Sequence, residues 1–211
     1  MNNNDNQNPM AYVPNPFVIH QSSRGERSMD IYSRLLEDRI VYVGTEINSV
    51  TANLIIAQLL HLENTNKDAP IHMYINSPGG SVYDGLGIYD IMQHISCPIY
   101  TYCVGMAASM GSILFTAGQA GHRLLMPSAR VMIHQPLGGA QGQATDIEIR
   151  TKEILGLKER LYQIYEKHNA KGLKAADFYP LCDRDNYLSP ERAIELGLGD
   201  HIVMPKQKSK G

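Results

Sequence analysis

The sequence is poor in the features that mark several large classes of protein. Its 211 residues include no Trp, and its three Cys (Cys97, Cys103 and Cys182) are odd in number and form no C-x-x-C pair. These counts argue against a disulfide framework or a zinc site. No apolar run approaches the roughly 20 residues that cross a bilayer, and residues 1–10 are Asn-rich and lack the pattern of a secretion signal. We therefore expect a cytoplasmic protein with reduced thiols and no membrane partner.

Charge is balanced between the two signs. The 19 basic and 21 acidic residues give a formal net charge of -2, so no basic surface for nucleic acid is indicated. The length suits one domain with a full core and leaves little room for a second. We expect a disordered tail at residues 1–10 and a flexible one at 205–211.

Strand-like and helical segments alternate along most of the chain. Strand-like runs occur at residues 40–43, 71–75, 99–104, 123–126 and 130–134. Helical patterns occur at residues 30–38, 51–64, 86–95, 112–117, 145–168 and 192–196, with Ser28, Thr145 and Ser189 as expected caps. This alternation predicts an α/β fold with a mostly parallel sheet and functional loops at the carboxyl ends of its strands.

The helix predicted at residues 145–168 is long for a chain of this size. At 1.5 Å per residue, its 24 or so residues span about 36 Å. Its apolar positions follow a seven-residue repeat at Ile147, Ile154, Leu157, Leu161 and Ile164. The helix either projects and pairs with another subunit or lies across its own sheet.

The segment at residues 11–20 is apolar yet carries Pro14 and Pro16, which break regular structure. A docking loop, a strand that packs in an assembly, and an ordinary edge strand all fit this composition.

The most informative stretch is GMAASMG at residues 105–111. It follows a strand-like run and precedes a helical one, so Ser109 is expected at a strand-to-helix turn among small residues. Such a turn exposes the serine hydroxyl beside the free N–H groups that begin a helix. A serine that serves as a helix cap is the competing interpretation, since the G-x-S-x-G elbow is absent.

An activated serine needs a base, an acid that orients the base, and donors for the oxyanion. His134 ends a strand that reaches Ser109 if the two strands are neighbours. Asp177, Asp183 and Asp185 are candidates for the acid, and spacing alone does not rank them. The N–H of Met110 and the loop at Gly79-Gly80 are candidate donors, although that loop could instead cradle a phosphate.

Three blocks of sequence together resemble one family. YINSPGGS (residues 74–81), GMAASMG (105–111) and MIHQP (132–136) are similar to the signature blocks of ClpP, the proteolytic subunits of ATP-dependent Clp proteases. RGERS (24–28) and DIYSRLL (30–36) are also similar, and the resemblance covers residues 11–203. It implies a Clp/crotonase-like fold, with mostly parallel sheet layers, flanking helices and a protruding handle helix.

The resemblance implies a catalytic site with assigned roles. Ser109 takes the place of the nucleophile, His134 of the general base and Asp185, within RDNYLS (184–189), of the third triad member. The expected oxyanion donors are the amides of Gly80 and Met110. The family's substrate-pairing strand corresponds to Gln135, Pro136, Leu137, Gly138 and Gly139. No metal or cofactor is expected.

The resemblance also implies an assembly and a division of the chain. It suggests a homo-oligomer of two stacked seven-membered rings that degrades unfolded proteins delivered by an AAA+ unfoldase of the ClpX, ClpA or ClpC type, with Tyr74 in the docking region. Residues 1–10 correspond to a propeptide-like tail removed at Met10-Ala11, 11–27 to an axial arm, and 28–204 to one protease domain with a handle at about 135–180. Tyr83 stands where we expect a small residue.

Two other functions fit parts of the sequence. A crotonase-like acyl-CoA enzyme would share the sheet and the glycine amides, but it gives no reason for Ser109 and His134. A ring subunit without activity would usually lack one of the triad residues.

Overall fold

The structure is a computed structural model that describes residues 16–22 and 25–204, in two units that divide between Asp38 and Arg39. In the first unit, strands β1 (Phe17–Ser22) and β2 (Gly25–Asp30) pair antiparallel, and helix α1 (Ile31–Glu37) follows. Phe17 and Ile19 are largely exposed. The proposed domain boundary at residue 28 falls inside β2. The tail at 1–10, the Met10-Ala11 site and the tail at 205–211 lie outside the described residues.

Helix α1 is capped by a different residue from the one we predicted. The Asp30 carboxylate accepts the N–H groups of Tyr32 and Ser33, both at 3.1 Å, whereas Ser28 lies within β2. The predicted cap was wrong because Ser28 pairs with Ile19 in the hairpin, so the chain leaves its extended conformation two residues later.

The second unit contains most of the regular structure. Its elements are β3 (Ile40–Val43), α2 (Ser49–Thr65), β4 (Ile71–Ser77), α3 (Val82–His94), β5 (Ile99–Ala108), α4 (Met110–Thr116), β6 (Arg123–Leu125), β7 (Arg130–Ile133), α5 (Ala144–His168), α6 (Ala175–Leu181), β8 (Asn186–Leu188), α7 (Pro190–Glu195) and β9 (His201–Ile202).

Seven of these strands form one sheet. Along the order β3-β4-β5-β6-β9 each pair is parallel, and β7 pairs parallel with β5 and antiparallel with β8. Strand β5 changes partner along its length, because Thr101–Cys103 pair with β6 and Met106–Ala108 pair with β7. The predicted α/β fold with a mostly parallel sheet is confirmed.

The two faces of the sheet differ in burial. In β4 the alternating residues Ile71, Met73 and Ile75 are fully buried, whereas His72 and Tyr74 on the other face are half-buried. Helices α2 and α3 contribute Leu59, Ile88 and others to the core. The buried face of β4 thus belongs to the apolar core of the unit.

Several element boundaries differ from the predictions. Helix α3 begins four residues early, because Ser81 caps it through the N–H of Asp84. Helix α5 begins at Ala144 with Gln143, not Thr145, as its cap residue. Strand β5 extends through small residues to Ala108, since these residues pair with neighbouring strands. Short elements α6, β8 and β9 were not predicted.

The two halves of helix α5 differ in burial. Leu161, Tyr162, Ile164 and Tyr165 in its second half are buried. In its first half, Ile147 and Ile149 are exposed. The helix is thus fixed to the core at one end and presents apolar side chains on its surface at the other.

The three cysteines are free and buried. Burial raises the pKa of the Cys103 and Cys182 thiols to about 12. Both thiols are therefore protonated and poorly nucleophilic near neutral pH. None of the helices in the described ranges has the length and apolar character needed to cross a membrane.

The half-buried His168 should make the stability of the fold depend on pH. Its Nε2 lies 3.1 Å from the Tyr89 hydroxyl, and burial, helped by nearby Lys167 and Arg123, lowers its pKa from 6.5 to about 4. In this window the unfolded chain binds more protons than the folded one, so stability falls as the pH falls from 6.5 to about 4. A His168→Gln variant should lose less stability across that window.

Thermal unfolding measured from pH 7 to pH 4 checks this expectation. His61→Gln, which replaces an exposed histidine, is the control and should keep the wild-type slope. Parallel curves for wild type and His168→Gln would contradict the assignment.

Candidate active site

Ser109 lies at the turn between β5 and α4, as the sequence predicts. Its backbone has a φ of 53° and a ψ of -122°, a conformation that strains a residue with a side chain. Its N–H donates to the carbonyl of Met132 in β7 at 2.9 Å. A sharp strained turn of this kind holds a serine hydroxyl at the end of a sheet.

The pairing of β7 on both sides brings two further side chains to Ser109. Ala108 pairs with Met132, so His134 emerges one residue beyond the end of β7, beside the turn. Its Nε2 lies 2.8 Å from the Ser109 Oγ. Ile133 pairs antiparallel with Asn186 of β8, which places Asp185 at the same edge of the sheet. The Asp185 Oδ1 lies 2.9 Å from the His134 Nδ1.

The structure also separates the three candidate acids. Asp177 accepts the N–H of Lys174 at 2.8 Å in the first turn of α6. Asp183 holds Gln135 through its main-chain carbonyl, which accepts the Gln135 Nε2–H at 2.9 Å. Asp185 is the one of the three whose carboxylate contacts His134. The histidine side chain is 11% exposed and the aspartate 57%, so the imidazole is shielded while the carboxylate still meets solvent.

The glycine loop is fixed against the serine turn. Ile47 donates to the Gly79 carbonyl at 2.7 Å and accepts from the Ser81 N–H at 2.8 Å. A Cβ added to Gly79 would lie 2.6 Å from the Ser109 Cβ, and one added to Gly80 would lie 2.1 Å from the Ile47 carbonyl oxygen. Their φ values of 91° and 146° also favour glycine.

Two backbone donors border the hydroxyl. Within residues 25–204, the N–H groups of Gly80 and Met110 have no hydrogen-bond acceptor, and both residues line the same pocket as Ser109. Buried or half-buried N–H groups are normally paired. Unpaired N–H groups beside a nucleophile can bind an oxyanion.

The active-site pocket has a volume of about 210 Å³ and is mainly apolar. Its apolar lining includes Val82, Ile113, Leu161, Pro136 and Leu137. Leu137 is 85% exposed. The pocket can therefore receive an apolar side chain next to the serine.

The segment at residues 135–139 runs away from His134 without helix or strand structure. Gln135 anchors its start, because its N–H donates to the Cys182 carbonyl at 2.7 Å and its Oε1 accepts from the Lys158 Nζ at 3.0 Å. In this part of the described chain, the N–H groups of Leu137, Gly138 and Gly139 have no acceptor. The segment can thus pair with an extended ligand.

Two site residues were not found from the sequence. The Ser112 Oγ donates to the Ser109 carbonyl at 2.6 Å, and the Tyr165 hydroxyl lies 2.6 Å from the same Oγ. Both side chains are almost fully buried. Since Ser112 uses its proton on Ser109, Tyr165 is the donor to Ser112. The three-residue spacing of Ser109 and Ser112 was a usable signal, whereas nothing local indicated Tyr165.

Tyr74 lies apart from these residues, on the half-buried face of the sheet. Its ring stacks on those of Tyr42 and Tyr102, with centroid distances of 6.0 and 4.5 Å. The three tyrosines are register partners on β3, β4 and β5. Among the described residues, no group of three or more His, Cys, Asp and Glu side chains could hold a metal ion.

A serine, a histidine and an aspartate are thus linked by consecutive hydrogen bonds, beside two unpaired backbone N–H groups. This arrangement defines a serine-hydrolase type of site. Comparison with known proteins identifies the family. The Clp protease family model matches residues 23–206. The ATP-dependent Clp protease proteolytic subunit of Bdellovibrio bacteriovorus is 54% identical over 202 residues, which cover 93% of each chain. Proteolytic subunit 1 of Salinibacter ruber is 53% identical over 188 residues, covering 89% of this chain and 80% of that one.

The chain therefore belongs to the Clp protease family, and its enzymatic class is that of a Clp-type peptidase. The family resemblance of the three sequence blocks is confirmed.

The Tyr165 hydroxyl should matter for turnover more than for substrate binding. In Tyr165→Phe, Ser112 loses a buried hydrogen bond worth about 1 kcal/mol, and the strained Ser109 turn becomes less well fixed. We expect kcat for a short peptide to fall about fivefold, with KM changed less than about twofold.

Tyr162→Phe is the matched control. Tyr162 is buried on the same helix, and its hydroxyl has no hydrogen-bond partner among the described residues. Steady-state kinetics on both variants should separate them. Equal losses of kcat would assign the effect to general packing of α5.

Proposed function

We propose that the chain is a serine endopeptidase whose catalytic residues are Ser109, His134 and Asp185. The observation that carries this proposal is the chain of hydrogen bonds from Asp185 through His134 to Ser109. That chain ends at an apolar pocket bordered by two free backbone amides.

In the acylation step, Ser109 attacks the carbonyl carbon of the peptide. The Ser109 Oγ transfers its proton to the His134 Nε2 as the new C–O bond forms. The amides of Gly80 and Met110 donate to the oxyanion of the tetrahedral intermediate. His134 then gives the proton to the leaving amine, the C–N bond breaks, and an acyl-enzyme remains.

In the deacylation step, His134 takes a proton from a water molecule that attacks the ester. The second tetrahedral intermediate collapses to release the acid, and Ser109 regains its proton. Throughout, Asp185 accepts the Nδ1–H of His134, which holds the tautomer that leaves Nε2 free as a base.

The substrate in this proposal is an extended segment of an unfolded protein. Such a segment can add as a strand along residues 135–139, where the N–H groups of Leu137, Gly138 and Gly139 are unpaired. Main-chain pairing is independent of sequence, so the apolar pocket supplies the preference. This arrangement suits unfolded chains better than folded ones, which keep their backbone groups paired.

We further propose that the protein works as two stacked heptameric rings with an AAA+ unfoldase in the cytoplasm. Its relatives are named as proteolytic subunits of an ATP-dependent Clp protease. The exposed apolar positions of α5, Ile147 and Ile149, favour a handle that packs against another subunit. The tyrosine stack around Tyr74 is the proposed unfoldase docking site.

The remaining division of the chain is part of the same proposal. Residues 1–10 form a propeptide removed at Met10-Ala11, 11–27 an axial arm, 28–204 the protease domain with a handle at about 135–180, and 205–211 a tail.

Labelling with a fluorophosphonate tests the proposal directly. An activated serine should take up one label per chain on Ser109, and Ser109→Ala should take up none. His134→Ala should slow labelling by at least about a hundredfold, since it lacks the base. Intact mass reports the label, and native mass of the same sample reports the number of subunits. An unlabelled assembly of full size would favour a subunit without activity.

The role of Asp185 is tested by Asp185→Asn. An amide in this place stabilises the wrong tautomer of His134, so kcat should fall about a thousandfold or more. Asp177→Asn is the control, because an amide oxygen can still accept the Lys174 N–H. Peptide hydrolysis rates measure both. A small effect of Asp185→Asn would remove this residue from the triad.

A further inference from the structure

A second pocket adjoins the active-site pocket. It has a volume of about 340 Å³ and shares Val82 and Leu137 with the first. Its lining includes Gly138 and Gly139 from the segment that follows His134. The two pockets therefore lie in succession along the same stretch of backbone.

One wall of the second pocket is a single face of α5. Arg150, Glu153, Ile154 and Leu157 line it at helical spacing. The segment lies directly on this face, since a Cβ added to Gly138 would come within 2.7 Å of the Ile154 Cδ1. The floor is thus apolar, and the rim carries charged groups.

Tyr83, in the first turn of α3, also lines the second pocket. Its ring is 62% exposed, and its hydroxyl donates to the Glu153 Oε1 at 2.8 Å. This bond joins α3 to α5 across the pocket and holds an aromatic ring at its edge. Tyr83 is also the residue that stands where the family resemblance led us to expect a small side chain.

The order of groups along the segment fixes the direction of a bound peptide. The leaving amine must lie near His134, which gives it a proton. Pro136 and Leu137 border the first pocket, and the second pocket follows at residues 137–139. The acyl half of the substrate therefore extends from the first pocket toward the second.

Strand geometry then identifies the side chain that reaches the second pocket. Alternate residues of an extended peptide point to the same side, about 7 Å apart. If the residue before the scissile bond fills the first pocket, the next side chain on that side belongs to the third residue before the bond.

We propose that the second pocket binds the side chain of the third residue before the scissile bond, that it favours a large apolar side chain, and that Tyr83, held by Glu153, determines this preference. The inference rests on the proposed peptidase function. Tyr83 acts on specificity and takes no part in the chemistry.

The test uses acetylated tripeptides X-Ala-Leu with an aminocoumarin leaving group, where X is Gly, Leu or Phe. The full-length assembled protein should show kcat/KM values for Leu and Phe about tenfold above that for Gly. In Tyr83→Ala this ratio should fall below about threefold, and in Tyr83→Phe it should lie between the two. The ratio of kcat/KM values for two substrates, measured on one enzyme preparation, does not depend on the fraction of its active sites that are functional.

Tyr179→Ala is the matched control. Tyr179 is also an exposed tyrosine whose hydroxyl donates to a glutamate of α5, Glu159, but it lines neither pocket. It should keep the wild-type ratio. A second series that varies the residue before the scissile bond should give the same preference in wild type and Tyr83→Ala.

The outcomes separate this inference from the proposed function. Equal kcat/KM values for all three X residues in wild type would overturn the inference, and so would a Leu-to-Gly ratio that Tyr83→Ala leaves unchanged. Neither result would contradict the proposed peptidase function. A ratio lost equally in Tyr179→Ala also overturns the inference. No cleavage of any peptide, together with no fluorophosphonate labelling of Ser109, overturns the proposed function and the inference with it.

Discussion

The candidate site depends on the pairing of one short strand, β7, with neighbours of opposite direction. Its parallel pairing with β5 places His134 beside the serine turn, and its antiparallel pairing with β8 brings Asp185 to the same edge. Because each residue of a strand rises about 3.3 Å, a shift of one register position would break both contacts to His134. The register of β7 is thus the constraint that makes three distant residues one site.

A second set of contacts fixes the serine itself. Ser109 has a positive φ, and two hydrogen bonds hold its backbone. Its N–H donates to the Met132 carbonyl, and its carbonyl accepts from the Ser112 hydroxyl. The glycine loop packs against Ser109. Ile47 fixes this loop, because its N–H donates to the Gly79 carbonyl and its carbonyl accepts from the Ser81 N–H. A strained turn persists when its surroundings determine it fully, and here strands, loop and helix all contribute.

Helix α5 connects the site to the outer surface of the protein. Tyr165 reaches the serine turn through Ser112, and Lys158 reaches the segment after His134 through Gln135. Nearer the N-terminus of α5, Glu153 accepts a hydrogen bond from Tyr83 at the second pocket. The first turns of the helix expose apolar side chains. The serine turn and both pockets therefore contact the same helix.

The sequence alone determined the alternation of strands and helices, the strand-to-helix turn at Ser109 and the glycine loop, because these follow from local patterns of apolar and small residues. The resemblance of three sequence blocks identified the family. The predicted helix caps and boundaries were less accurate, because neighbouring residues compete to cap the same helix. The observed caps Asp30 and Ser81 illustrate this. What the tertiary structure decided was which aspartate meets His134, that Tyr165 supports the serine through Ser112, and that Tyr83 meets Glu153. Each of these contacts joins residues 51 to 70 positions apart in the chain, and local patterns carry no information about distances set by strand register and helix packing.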